Sequence, residues 1–180
     1  MTGIDMIHGV ESRSTWEDDP TLTIPVTSGV GRGPTSVAAF DAALRAAGVA
    51  NFNLIRLSSV IPTGAAVQIA VDPEPTPPAG GWGDRLYVVY ADARATEPGQ
   101  VAAACVGWVQ NPDDGSGLFV EVEGHDEAVV RQEVTDSLHA MTVARDLAAG
   151  PPVLLSRSVR CEGEPVCALV VAPFTSEAWR

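Results

Sequence analysis

The chain has 180 residues, the size of one ordinary domain or of two small halves around a shared core, which excludes a multidomain machine. Hydrophobic residues make up 46% and charged residues 19%, enough apolar surface to bury and too little charge for wholesale disorder. A net charge of −12 repels phosphate backbones, so no nucleic-acid partner is expected.

All eleven basic residues are arginine and none is lysine. That removes the aldimine that anchors pyridoxal phosphate, the lysine aldolases and the lysine of a standard P-loop. Cys105, Cys161 and Cys167 have no C-x-x-C spacing. Their odd number argues against a secreted disulfide framework and for the cytoplasm, with each read as a small buried hydrophobe. No stretch approaches the ~20 apolar residues of a membrane span, so no membrane partner is expected. Met1 to Pro20 has neither a basic start nor an apolar run and reads as a loose leader, with residues 21–180 forming a single domain.

In chain order, Leu22 to Thr27 reads as a short strand that Pro25 directs to a sheet edge. Ser28 to Pro34 reads as a glycine-rich turn. Thr35 or Ser36 caps a helix with the apolar stripe Val37, Phe40, Leu44 and Ala47, ended by Gly48. Asn53 to Ile61 is nearly continuous in apolar residues, like a strand covered on both faces. Asp72 to Asp84 is dense in proline and glycine and reads as an irregular connection, whose Trp82 suggests a subunit contact.

Arg85 to Ala93, Val101 to Val109 and Leu118 to Glu123 then read as a three-stranded meander. His125 to Ala149 carries Val130, Val134, Leu138, Met141 and Leu147 on one helical stripe and stops at Gly150-Pro151. Val153 to Cys161 and Val166 to Phe174 read as a closing hairpin. This order predicts an α/β (α+β) fold: a four-layer αββα sandwich, with a β-α-β-β unit used twice.

Two weaker signals carry little chemistry. The G-x-G-x-x-G pattern that starts at Gly29 fails at Pro34, which counts against a nucleotide loop. His8, His125 and His139 lack ligand spacing, so no metal is expected.

Residues 29–65, GVGRGPTSVAAFDAALRAAGVANFNLIRLSSVIPTGA, combine a glycine-rich stretch, a helix with an FD pair, an N-x-N-L strand and a serine doublet. This segment resembles the self-processing region of pyruvoyl-dependent arginine decarboxylases. VAAACVGW and GLFVEVEG resemble that family's later strands, so the likeness spans the chain from Thr21 onward.

The resemblance implies that the Ser59 hydroxyl attacks the Ser58 carbonyl and that the resulting ester eliminates. Chains 1–58 and 59–180 would remain, the latter starting with a covalent pyruvoyl group. It further implies conversion of L-arginine to agmatine and carbon dioxide through a Schiff base on that group, without pyridoxal phosphate. Asp41 matches the carboxylate that binds the substrate guanidinium, and Asn53 an asparagine that polarises the Ser58 carbonyl or holds substrate. Glu121 matches the proton donor, which must then lie partly buried near position 59, and Glu123 is its nearby rival. A homotrimer of cleaved protomers, or a multiple of it, is implied, with active sites between neighbours.

By residue type alone these positions have plainer readings. Asp41 is an exposed helix charge, Asn53 a strand-entry turn residue, Glu121 a solvated strand carboxylate and the serine pair structural. Other functions left open are a non-catalytic interaction or regulatory subunit, a small-ligand module built on the glycine stretch, and a decarboxylase of another amino acid.

Overall fold

The computed structural model describes residues 22–70 and 78–179. The leader and residues 72–77 of the proline-rich connection lie outside the described residues. The elements in order are β1 (Thr23–Arg32), α1 (Ser36–Ala46), β2 (Asn53–Arg56), β3 (Val60–Ile61), β4 (Ala66–Ile69), β5 (Arg85–Ala95), β6 (Val101–Gln110), β7 (Gly117–Gly124), α2 (Glu127–Ala144), β8 (Val153–Arg160) and β9 (Val166–Glu177). Residues 78–84 carry no regular structure, as their composition leads one to expect.

Two sheets form, one in the order β2-β5-β9-β1-β4 and the other in the order β3-β7-β6-β8. Their inner faces meet in a core that includes Ile24, Val26, Val89, Val106, Phe119, Val170 and Trp108. On the outer side of the first sheet, Ala39, Ala43 and Ala47 of the α1 region pack on Leu86, Val88 and Leu169. On the outer side of the second, Val130, Val134 and Leu138 of α2 pack on Ala103, Cys105 and Val120. These are the four layers of the expected αββα sandwich. Each helix joins two parallel strands across its own sheet, but two strands lie between β1 and β2 and only one between β7 and β8. The expected repeat is therefore inexact.

Both helices are capped at their starts: Thr35 accepts a hydrogen bond from the Ala38 N–H, and Asp126 accepts from those of Ala128 and Val129, while α2 ends at Ala144, short of the expected stop at Gly150-Pro151. The stripe of α1 differs from the expected one. β1 runs straight through the glycine-rich stretch, pairing Thr27 to Arg32 with β9. A Cβ on Gly31 would stand 2.0 Å from the Ala39 carbonyl oxygen, and one on Gly29 would stand 2.1 Å from that of Ala43. The bare strand lets α1 lie against it on its alanines, and Val37 is left 69% exposed. Gly31→Ala should push the helix outward and cost about 1–3 kcal/mol. A thermal midpoint equal to that of the parent chain would contradict this close fit.

Pro25 sits where the β1–β9 ladder has opened. Pairing ends at Thr27 opposite Val171, and two further steps would set Pro25 against Pro173, neither of which has an N–H to donate. The first half of β1 pairs instead with β4, in parallel. β4 falls in a stretch where the sequence gives no strand signal; it makes β1 an interior strand of the sheet, yet at Pro25 itself β1 is paired on one side only.

Two further expectations are corrected. The meander does not form: β6 and β7 make a hairpin in the second sheet, while β5 pairs with β2 and β9 in the first. The closing hairpin does not form either, because β8 and β9 belong to different sheets. β8 is only half buried and suits an edge, whereas Val166 to Ala172 is buried throughout and requires an interior position. Among the described residues no helix is long and apolar enough to cross a membrane.

Candidate active site

The apolar run from Asn53 to Ile61 is not one strand. β2 is an edge of the first sheet and β3 an edge of the second, and stacked sheets lie about 10 Å apart. Residues 57–59 cross that gap. The Leu57 N–H donates to the Val88 carbonyl at 2.9 Å, the last bond to the first sheet. The Phe119 N–H donates to the Ser59 carbonyl at 2.8 Å, the first bond to the second sheet. Ser58 lies between these anchors and is exposed.

The crossing bends the backbone at Ser59, whose φ of 68° lies in the left-handed region. For a residue with a Cβ this costs on the order of 1–3 kcal/mol and persists only where the surroundings impose it. The same bend turns the Ser59 hydroxyl toward β7, where it donates a hydrogen bond to Oε1 of Glu121.

Alternation along β7 explains why a carboxylate is there. Phe119 points between the sheets and is fully buried, packed against Trp108 and Phe174 at ring-centroid distances of 6.1 and 5.9 Å. Glu121 follows on the same face at the margin of that core and is half-buried, while Glu123 two residues on is exposed. Of the two glutamates, it is Glu121 that meets Ser59.

The other sequence-derived candidates have separate partners. The Asn53 side chain opens β2 and donates from Nδ2 to the Gly83 carbonyl at 2.5 Å. Trp179 donates from Nε1 to that same carbonyl at 2.8 Å. Asp41 is exposed on α1, its carboxylate 3.3 Å from the Arg45 guanidinium one turn on. The chain thus brings together Ser58, Ser59 and Glu121, but engages Asn53 and Asp41 elsewhere. The sequence reading missed the Phe119 N–H and the Gly83 carbonyl, because backbone groups carry no residue-type signal.

The three cysteines are free and buried. Burial pushes the Cys105 thiol up to about 11 and that of Cys167 up to about 12, so neither supplies a thiolate near neutrality. Cys161 and Cys167 line different cores on opposite faces of the first sheet. Among the described residues no group of three or more His, Cys, Asp or Glu is placed to hold a metal ion.

An αββα sandwich with a strained serine at the seam of its sheets, its hydroxyl on a half-buried carboxylate, defines a protein with a preformed serine–carboxylate site. A family model described as pyruvoyl-dependent arginine decarboxylase matches residues 23–178. A protein named pyruvoyl-dependent arginine decarboxylase from Halobacterium salinarum strain R1 is 38% identical over 156 residues, covering 84% of this chain and 92% of the relative. A protein of the same name from Thermococcus kodakarensis is 30% identical over 144 residues, covering 77% of this chain and 85% of the relative. The chain belongs to the pyruvoyl-dependent arginine decarboxylase family of carboxy-lyases.

Proposed function

We propose that this chain cleaves itself between Ser58 and Ser59 and then converts L-arginine to agmatine and carbon dioxide. The observation that carries this reading is the Ser59 hydroxyl on the Glu121 carboxylate, at a non-glycine residue with φ of 68°.

The residues present fit the making of a pyruvoyl group from the chain itself. Glu121 accepts the Ser59 hydroxyl proton as Oγ attacks the Ser58 carbonyl carbon. The peptide C–N bond breaks, an ester forms, and the nitrogen of residue 59 becomes an amine. Loss of the Cα proton of residue 59 then breaks the Cβ–Oγ bond. Ser58 leaves as a carboxylate, and hydrolysis of the remaining dehydroalanine releases ammonia. The Phe119 N–H on the carbonyl of residue 59 holds this residue to β7 throughout.

In the mature enzyme the pyruvoyl group supplies an electron sink that no side chain provides. Glu121, beside position 59, holds the proton that replaces the departing carboxylate on the substrate carbon. Asp41 binds the substrate guanidinium. It already accepts one from Arg45 in an exposed pair worth about 0–1 kcal/mol, weak enough to exchange. The Asn53 amide lies at the far end of β2 and is assigned to substrate holding. Because Asp41 sits on an outer helix and Ser59 at the seam, the reading includes a homotrimer of cleaved protomers, with sites completed between neighbours and the exposed Trp82 at the contact.

Denaturing intact-mass spectrometry tests the reading. The expected result is chains 1–58 and 59–180, the longer one lighter by ammonia than a serine-started fragment, with carbon dioxide released from arginine. One chain of full mass after long incubation would support a non-catalytic subunit instead. Cleavage with turnover of a different amino acid would correct the substrate.

A further inference from the structure

We infer that Gln110 is a positioning residue for the group at position 59, acting by clasping the loop that leaves β3 to the turn that enters β7; this rests on the function proposed above. β3 has two residues, with Val60 opposite Leu118 and Ile61 opposite Gly117. So short a ladder specifies its register weakly, and a slip of one residue would turn position 59 away from Glu121. In the intact chain Leu57 ties the upstream side to the first sheet. Cleavage after Ser58 removes that tether and makes position 59 a chain end, and chain ends fray unless held. Its placement then depends on how firmly β3 and the loop after it are held.

Gln110 ends β6 opposite Gly117 and is half-buried. Its Nε2 donates to the Ala65 carbonyl at 2.8 Å and to the Gly115 carbonyl at 2.7 Å, and its Oε1 accepts from the Val67 N–H at 3.1 Å. Only one orientation of the amide satisfies all three bonds. One loop carries the chain out of β3, and the other is the 111–116 turn leading into β7. Glycines permit the contact: Gly115 has φ of 75°, and a Cβ on it would stand 2.5 Å from the Ala65 carbonyl oxygen. The Gly64 N–H adds a 2.7 Å bond to the Asp114 carbonyl. With both loops joined through one side chain, β3 cannot slide on β7 without breaking the clasp.

The test compares Gln110→Ala and Gln110→Glu with a control, Val134→Ala, in the α2 core, all in the full chain. Fraction cleaved, thermal midpoint, and kcat and KM for arginine on the cleaved enzyme are measured. Cleaved Gln110→Ala is expected to lose at least about tenfold in kcat with KM within about twofold, the signature of a misplaced reacting group. Gln110→Glu keeps the acceptor for Val67 but at neutral pH has no proton for Ala65 or Gly115. Its kcat relative to the parent should rise as the pH is lowered and the carboxyl regains one. This variant gives the reading even where Gln110→Ala folds poorly. Val134→Ala should lower the midpoint and leave kcat in place.

A cleaved Gln110→Ala enzyme with parental kcat would overturn the inference, as would a loss that merely tracks the midpoint as in Val134→Ala. A flat pH ratio for Gln110→Glu would do the same. An uncleaved parent chain would overturn the proposed function, and with it this inference.

Discussion

Ser59→Ala is expected to give one chain of full length that releases no carbon dioxide from arginine. The variant keeps the Cβ and so the same backbone preference at φ of 68°, but it lacks the oxygen that, in the proposed function, attacks the Ser58 carbonyl. Removing the hydroxyl leaves the half-buried Glu121 carboxylate without this donor, which costs about 1–3 kcal/mol. The chain should therefore fold with a lowered thermal midpoint, so loss of cleavage is separable from loss of structure. Ser58→Ala is the partner experiment. The proposed cleavage needs the carbonyl of residue 58 and not its side chain, so this chain should still cut at the same bond. Cleavage in Ser59→Ala, or its absence in Ser58→Ala alone, would assign the nucleophile to the other serine.

Residue types alone leave this site with plain readings, whereas much of the fold is legible in periodicity. The cap at Thr35, the α2 stripe through Leu138 and the run of β9 each lie where local pattern puts them. The serine doublet and Glu121 are legible through their resemblance to a family. The misreadings share a physical origin, which is that local pattern does not say which sheet a strand joins. Asn53 to Ile61 has the composition of one buried strand, and only the gap between the sheets breaks it at Ser59. β8 and β9 are joined by a short turn, yet burial demand sends them to different layers.

Glycine has a similar ambiguity. Gly29 and Gly31 read as a turn because glycine permits one, but they serve a close helix approach inside a strand. Gln110 carries no signal at all in sequence. A glutamine at a strand end is ordinary, and its meaning comes from two loops that only the folded chain brings together. Asp41 shows the converse: the resemblance gives it a role, while within the chain its partner is Arg45. Residue type and family likeness identify groups able to do chemistry, and layer assignment decides which of them meet within one chain.

The second large effect is expected at Glu121. Glu121→Gln preserves shape, and its amide oxygen can still accept from the Ser59 hydroxyl, so the seam should keep its geometry. An amide can neither take up that hydroxyl proton nor deliver one to the substrate carbon. Cleavage should slow, and arginine turnover by the fraction that matures should fall about 10²–10⁴-fold, with KM far less changed. Glu123→Gln, at the exposed position two residues on, should leave both rates within about twofold, the range expected for an exposed site away from special features. Unaltered cleavage and turnover in Glu121→Gln would reduce the bond to Ser59 to a structural contact. Loss confined to Glu123→Gln would move the proton-transfer role two residues along β7 and require position 59 to turn toward it in the mature enzyme.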